Sequence, residues 1–214
     1  MVRIVVLANS IRPDGMCIAG IDLDTGEWVR PVPPSGDGIP TQRCFVNGKM
    51  LAIRDVLECD LIRPCVIPQY QCENQTVRNW NWQVTGRLKA SAIRKYVEGT
   101  CPILHTPNDR VGVNQLNAMP PQDWRSLQLA CPRGLHFERH YYDANRWVAS
   151  FSDGAGNRHS LKITDPVITR RLESEEQIDN ENCLLTVSMT KPWTHDPSVC
   201  PPTCYKIVAG VIAL

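Results

Sequence analysis

Residues 4–8 read Ile-Val-Val-Leu-Ala, an apolar and β-branched run with no polar position in it. A half-buried strand alternates apolar with polar side chains, whereas an unbroken run like this one suits a strand covered on both faces. Two further strand-like stretches follow at residues 16–23 and 27–32. Arg12-Pro13-Asp14-Gly15 precedes the first of these, and Asp24-Thr25-Gly26 separates the two. Both are turn sequences, and a polar turn ending in glycine suits a tight hairpin. The N-terminus therefore predicts an antiparallel meander that opens a small barrel.

The chain has 214 residues, enough for one large β domain or two small ones. Pro33-Pro34-Ser35-Gly36-Asp37-Gly38-Ile39-Pro40 must be a loop, because its prolines and glycines oppose regular pairing. Strands are expected at 50–53 and 55–62. Residues 69–82 suit an edge strand followed by an exposed turn, and 83–88 closes the first barrel. KASAIRKYVE at 89–98 is the best helix candidate, with Ala92, Tyr96 and Val97 as its apolar stripe and Gly99 just past its end.

In the second half, strands are expected at 126–130, 135–142, 146–152, 158–163, 183–189 and 205–214. Asp143-Ala144-Asn145 is expected to turn, and Asp153-Gly154-Ala155-Gly156-Asn157 to form a hairpin loop. Trp147, Ala149 and Phe151 fall on one side of their strand, and Arg146, Val148 and Ser150 on the other. Asp165 followed by Pro166 marks a helix start, as N-cap and first helical residue. Cys17-Ile18-Ala19-Gly20-Ile21 and Ile207-Val208-Ala209-Gly210-Val211 are alike, though five residues are too few to establish a duplication.

Several short motifs together resemble the bacterial dual OB-fold domain proteins. They are LANS at 7–10, CIAGID at 17–22, GEWVRPV at 26–32, NDRV at 108–111, LKITDP at 161–166 and CYKIVAG at 204–210. Residues 32–50 and 194–203 fit that pattern least. The resemblance implies a mostly β protein of two small OB-like β-barrels with a short connecting helix and long loops. On this division residues 1–98 hold the first barrel and helix, 99–122 a linker, and 123–214 the second barrel. It also implies a bacterial source, nucleic-acid or nucleotide binding, and a setting in antiviral defence. No catalytic residue and no cofactor carries over.

The formal net charge of +1 argues against a strongly basic clamp acting by bulk electrostatics, though a local basic groove is compatible with it. Ten cysteines without a signal-like leader point to a cytoplasmic protein with reduced thiols. No stretch approaches the roughly 18 apolar residues of a membrane span. Cys59, Cys65 and Cys72 are spaced six and seven apart, too loosely for a typical zinc knuckle. Cys200 and Cys204, with His195 nearby, form the tighter set, and His136 and His140 share a strand face. These would serve a metal-dependent enzyme. Buried or loop thiols and a solvated strand face account for them without one.

The interleaving of indole rings with guanidinium groups carries more information. Arg30 follows Trp28 by two positions, Arg78 precedes Trp80 and Trp82, and Arg146 adjoins Trp147. Barrels that hold single strands stack bases on rings at about 1–3 kcal/mol each and take phosphates on arginines. The expected contacts are Arg30, Arg78, Trp80 and Trp82 in the first barrel, with Arg146 and Arg158 in the second. The function expected is a non-catalytic module for single-stranded nucleic acid or a nucleotide. An adaptor for a partner ATPase or nuclease from the same operon is the alternative, with a metal-dependent enzyme behind it.

Overall fold

The computed structural model describes residues 1–36, 38–62, 70–99, 102–196 and 198–214. Strands β1 (Val2–Arg12), β2 (Gly15–Asp22) and β3 (Trp28–Val32) form the expected meander. A 3-10 turn at Thr41–Cys44 leads to a two-stranded hairpin, β4 (Phe45–Val46) and β5 (Lys49–Met50), where the sequence suggested one strand over 50–53. Then come β6 (Asp55–Cys59), β7 (Leu61–Ile62), β8 (Asn74–Val77) and β9 (Gln83–Arg87). Their lateral order is β7-β8-β3-β2-β1-β6-β9, with β3 and β8 parallel. Only Asp60 separates β6 from β7, and the two pair with β1 and β8 respectively. One broken strand thus bridges both ends of the sheet and curls it into a five-stranded OB-type barrel, with β9 added beyond β6.

The predicted helix over 89–98 is a 3-10 helix at Ala90–Tyr96. Ile93 is its one fully buried side chain, while Tyr96 and Val97 pack alongside. The stretch expected to be a linker, 99–122, holds a 3-10 turn at Ile103–His105, β10 (Arg110–Gly112) and α1 (Val113–Asn117). A further 3-10 turn lies at Pro121–Asp123.

The second barrel comprises β11 (Leu127–Ala130), β12 (Arg133–His140), β13 (Asp143–Ser152), β14 (Arg158–Ile163), α2 (Pro166–Glu173), β15 (Cys183–Met189) and β16 (Thr203–Ala213). It repeats the topology: a meander β12-β13-β14, a parallel pair β14–β16, and β15 between β16 and β11. The break that bridges the ends now falls between β11 and β12, and β10 pairs with β16. Asp165 caps α2 as the sequence indicated, its carboxylate accepting from the Val167 and Ile168 amides, with Pro166 at the first turn.

Strand β1 shows why its sequence is apolar throughout. Ile4 and Val6 face the first barrel's core with Ile18, Leu57 and Trp82. Val5 and Leu7, on the opposite face, meet Leu129, Leu184 and Ile212 of the second barrel. The two similar segments noted in the sequence converge at this seam, where Ala8, Ala19, Leu127 and Ala209 form one cluster. Small residues are required there. A Cβ on Gly20 would lie 2.0 Å from the Val5 carbonyl oxygen, and one on Gly210 would lie 2.3 Å from that of Leu7. The Thr186 hydroxyl also donates to the Leu7 carbonyl at 2.6 Å, and the Ile11 amide to that of Thr164 at 2.9 Å.

Gly210→Ala is therefore expected to force the barrels apart and lower stability by about 2 kcal/mol or more. Chemical denaturation should show an earlier midpoint; an unchanged midpoint would contradict the close approach.

Candidate functional site

Arg30, expected to contact the ligand, is instead 2% exposed and lies in the seam. Its guanidinium donates to Asn74 Oδ1 and Ser126 Oγ at 3.0 Å and to Ser188 Oγ at 3.2 Å. Glu73 lies 4.0 Å away, and its carboxylate accepts from the Ser126 amide (2.6 Å), the Ser126 hydroxyl (2.7 Å) and the Leu127 amide (3.1 Å). Trp28, two positions earlier, also packs at the seam, so the face they share is covered by the second barrel. In this structure Arg30 is a tie between barrels and is closed to any ligand.

Trp82, expected to be exposed, is 6% exposed and belongs to the first barrel's core. A polar flank (Asn79, Asn81, Gln83) hid this, because the connection from β8 to β9 turns one ring inward. Trp80 is half-buried against it, with centroids 5.2 Å apart, and the Arg43 guanidinium sits over Trp80 at 5.5 Å. Arg78 is exposed and pairs with Asp60 at 3.7 Å. Arg78 and Trp80 thus remain on the surface of the first barrel, without Arg30 or Trp82 beside them.

The second barrel brings more together. Strand β14 alternates strictly, with Arg158, Ser160 and Lys162 outward and His159, Leu161 and Ile163 inward. Register places Ser152, Ser150 and Val148 of β13 opposite those outward residues, and Arg133, His136 and Glu138 of β12 beyond them. A bulge at Gly134 (φ +62) keeps Arg133 on that face. Arg146, two residues before Val148, continues it. Arg146 and Arg158 therefore share the outer face of β12-β13-β14, at its opposite ends. Among the described residues Arg133, Arg158 and Lys162 form no ion pair, Arg146 pairs with Asp143 at 3.4 Å, and Glu138 holds the Ser150 hydroxyl. Trp147 faces inward and is covered by the Arg139 guanidinium at 4.1 Å.

The sequence reading missed the tip of this face. It ran the strand through residue 142 and put the turn at Asp143-Ala144-Asn145. The turn is Tyr141-Tyr142, and β13 begins at Asp143. Both tyrosines project into solvent, 88% and 87% exposed, with ring centroids 4.7 Å apart at an interplanar angle of 89°. Local composition hid this, because tyrosines favour strands while Asp143 and Asn145 are turn-forming residues.

Two cavities border this architecture. One, of about 460 Å³, lies where β13 and β14 meet α2, and is lined by Arg146, Lys162, Arg170, Asp143, Asn145 and Glu173 among others. The other, of about 640 Å³, opens on the seam between Trp28, Tyr96 and Trp124. It carries Glu27, Glu73 and Glu98 against Lys95 and Arg125, with Glu73 also paired to Arg30, so it offers no surplus of positive charge. Glu98 is already engaged by the Trp28 indole N–H (2.8 Å) and by Arg125 (3.6 Å).

Several other chemistry-bearing side chains are tied into the fold. Buried His159 lies 3.3 Å from Asp109 and 3.4 Å from Asp153. Burial pushes Asp153 up, but hydrogen bonds from Asn157 and His159 outweigh it and hold the carboxyl below its usual range. Lys206, buried beside them, donates to the Ile103 and Thr106 carbonyls at 2.6 Å. Burial pulls its pKa down to about 8 against the attraction of Asp109 and Asp153. The group fastens residues 103–109 to β16. Cys204 lies in the second core and Cys200 on the surface. Burial raises Cys59 to about 12 and Cys204 to about 11, so these thiols stay protonated. Cys65 lies outside the described residues. Among those described, no three His, Cys, Asp or Glu side chains gather to hold a metal ion, and no helix is long and apolar enough to cross a membrane.

Removing the seam guanidinium leaves Glu73 buried without its counter-charge, so Arg30→Ala should cost about 3–5 kcal/mol, whereas Arg78→Ala should shift stability by less than about 0.5 kcal/mol. Urea denaturation of both variants checks the contrast; equal, small effects would contradict it. Residues 2–211 match a family model described as a dual OB-containing domain. Neither a search of curated proteins nor one of solved structures finds a match.

Proposed function

Since the chain belongs to the family of dual OB-containing domain proteins, we propose that it is a binding module whose second barrel holds single-stranded nucleic acid along the outer face of β12-β13-β14. One observation carries this reading: among the described residues four cations, Arg133, Arg146, Arg158 and Lys162, share that face with two carboxylates, Glu138 and the Asp143 that pairs with Arg146. The central strands of an OB barrel and the loop joining the first two are where such barrels hold oligonucleotides. In the second barrel these are β13, β14 and the Tyr141-Tyr142 turn. The cations take phosphates, and the tyrosines offer ring faces to bases. Of the contacts expected from sequence, Arg146 and Arg158 stay in this proposal. Arg78 and Trp80 are left as a separate surface, and Arg30 and Trp82 leave it.

The exposed, cross-strand pair Phe45 and Met50 on the β4–β5 hairpin favours a second reading, contact with a protein partner through the first barrel. Two side chains make a small patch, and this reading competes for no residue of the second barrel.

Fluorescence anisotropy with a labelled oligonucleotide tests the first reading. Four phosphate contacts give a slope of about −3 in log K against log salt, and Arg158→Ala should flatten it by about 0.7. Tyr141→Ala should weaken binding by about 1–3 kcal/mol if the ring stacks on a base. Salt-independent binding, or none, would overturn the proposal.

A further inference from the structure

The outer face does not run on freely past Lys162. At that end it meets α2, which contributes Pro166, Thr169, Arg170 and Glu173 to the 460 Å³ cavity, and Ile11 from the end of β1. The Ile11 amide is bonded to the Thr164 carbonyl at 2.9 Å, which seals the first barrel against this corner. A strand laid along β14 from Arg158 towards Lys162 therefore arrives at a wall.

The cavity at the wall is cationic. Arg146 and Lys162 enter it from the sheet and Arg170 from the helix, against Asp143 and Glu173. Lys162 and Arg170 form no ion pair among the described residues, and Asp143 rests 3.4 Å from Arg146. The helix N-terminus is not the attraction, because Asp165 already occupies its first amides. Asp143 directly follows the exposed tyrosine pair, so the ring faces and the cationic cavity lie at the same end of the sheet.

We propose that this cavity holds a phosphomonoester, the phosphorylated end of the strand carried by the outer face. The inference rests on the strand-binding reading for its direction of approach. A phosphomonoester carries about −1.5 to −2 charges at neutral pH and three acceptor oxygens, where an internal phosphodiester carries one charge and two free oxygens. Three cations line the cavity against two carboxylates, an excess that suits the former, and charge-assisted bonds are about twice as strong as neutral ones. A free nucleoside monophosphate presents the same group and is the other source of this chemistry.

The test compares one labelled oligonucleotide in three forms, with 5′-phosphate, 3′-phosphate or hydroxyls at both ends, and adds a nucleoside monophosphate alone. One phosphorylated form is expected to bind about tenfold tighter than the hydroxyl form, a difference of about 1.4 kcal/mol. Arg170→Ala should collapse that ratio. Arg171→Ala, whose guanidinium is turned to Glu176 at 2.8 Å, should keep it. Equal binding of all three forms would overturn the cavity assignment and leave strand binding standing. If no oligonucleotide binds but the monophosphate does, with loss in Arg170→Ala, the cavity stands and the strand reading falls. A ratio that survives Arg170→Ala would place the phosphate elsewhere and overturn the inference.

Discussion

One buried ion pair decides how the two barrels sit. Arg30 from β3 and Glu73, just before β8, belong to the first barrel, yet their partners Ser126 and Ser188 belong to the second. Moving two charges out of water is costly, and such pairs are weak contributors to net stability unless their remaining valences are filled. Here most are: Glu73 accepts three hydrogen bonds, and the two terminal nitrogens of Arg30 are both engaged, while its Nε alone finds no partner among the described residues. Apolar contact across Val5, Leu7, Leu184 and Ile212 could slide; a guanidinium facing fixed acceptors cannot. With the seam fixed, the first barrel's meander is shut away, and the second barrel's meander is left facing solvent.

Much of the fold was legible. The unbroken apolar run of β1 announced a strand covered twice, and each cover is a different barrel. The cap and first turn of α2 followed from Asp165-Pro166, and β15 runs over the residues expected of it. The two Ala-Gly segments looked like an uncertain repeat. They proved to be the thin places where two sheets approach, a role that spacing in one chain cannot reveal.

The site was less legible, for two physical reasons. Local parity gives the face of a strand but not what covers it, so Arg30 read as a ligand contact when a second domain supplies its partners. Polar neighbours argue for exposure only if the chain continues regularly, and the connection through Trp80 and Trp82 does not, so one ring turns into the core. The Tyr141-Tyr142 turn was lost to a shift of two residues in a hairpin. Register errors of that size move side chains from a barrel wall to its most exposed tip. The net charge was uninformative for a related reason: carboxylates crowd the seam cavity while unpaired cations collect on the second barrel, and the sum conceals the separation.

The two barrels divide the labour, one meander face closed by the seam and the other open to solvent. Amide hydrogen exchange with and without a short single-stranded oligonucleotide reads that division residue by residue. Slowed exchange should concentrate in residues 133–164, across β12, β13 and β14, with the amides around Arg30 and Glu73 unchanged. Protection centred on residues 78–83 of the first barrel, or on the seam itself, would contradict it.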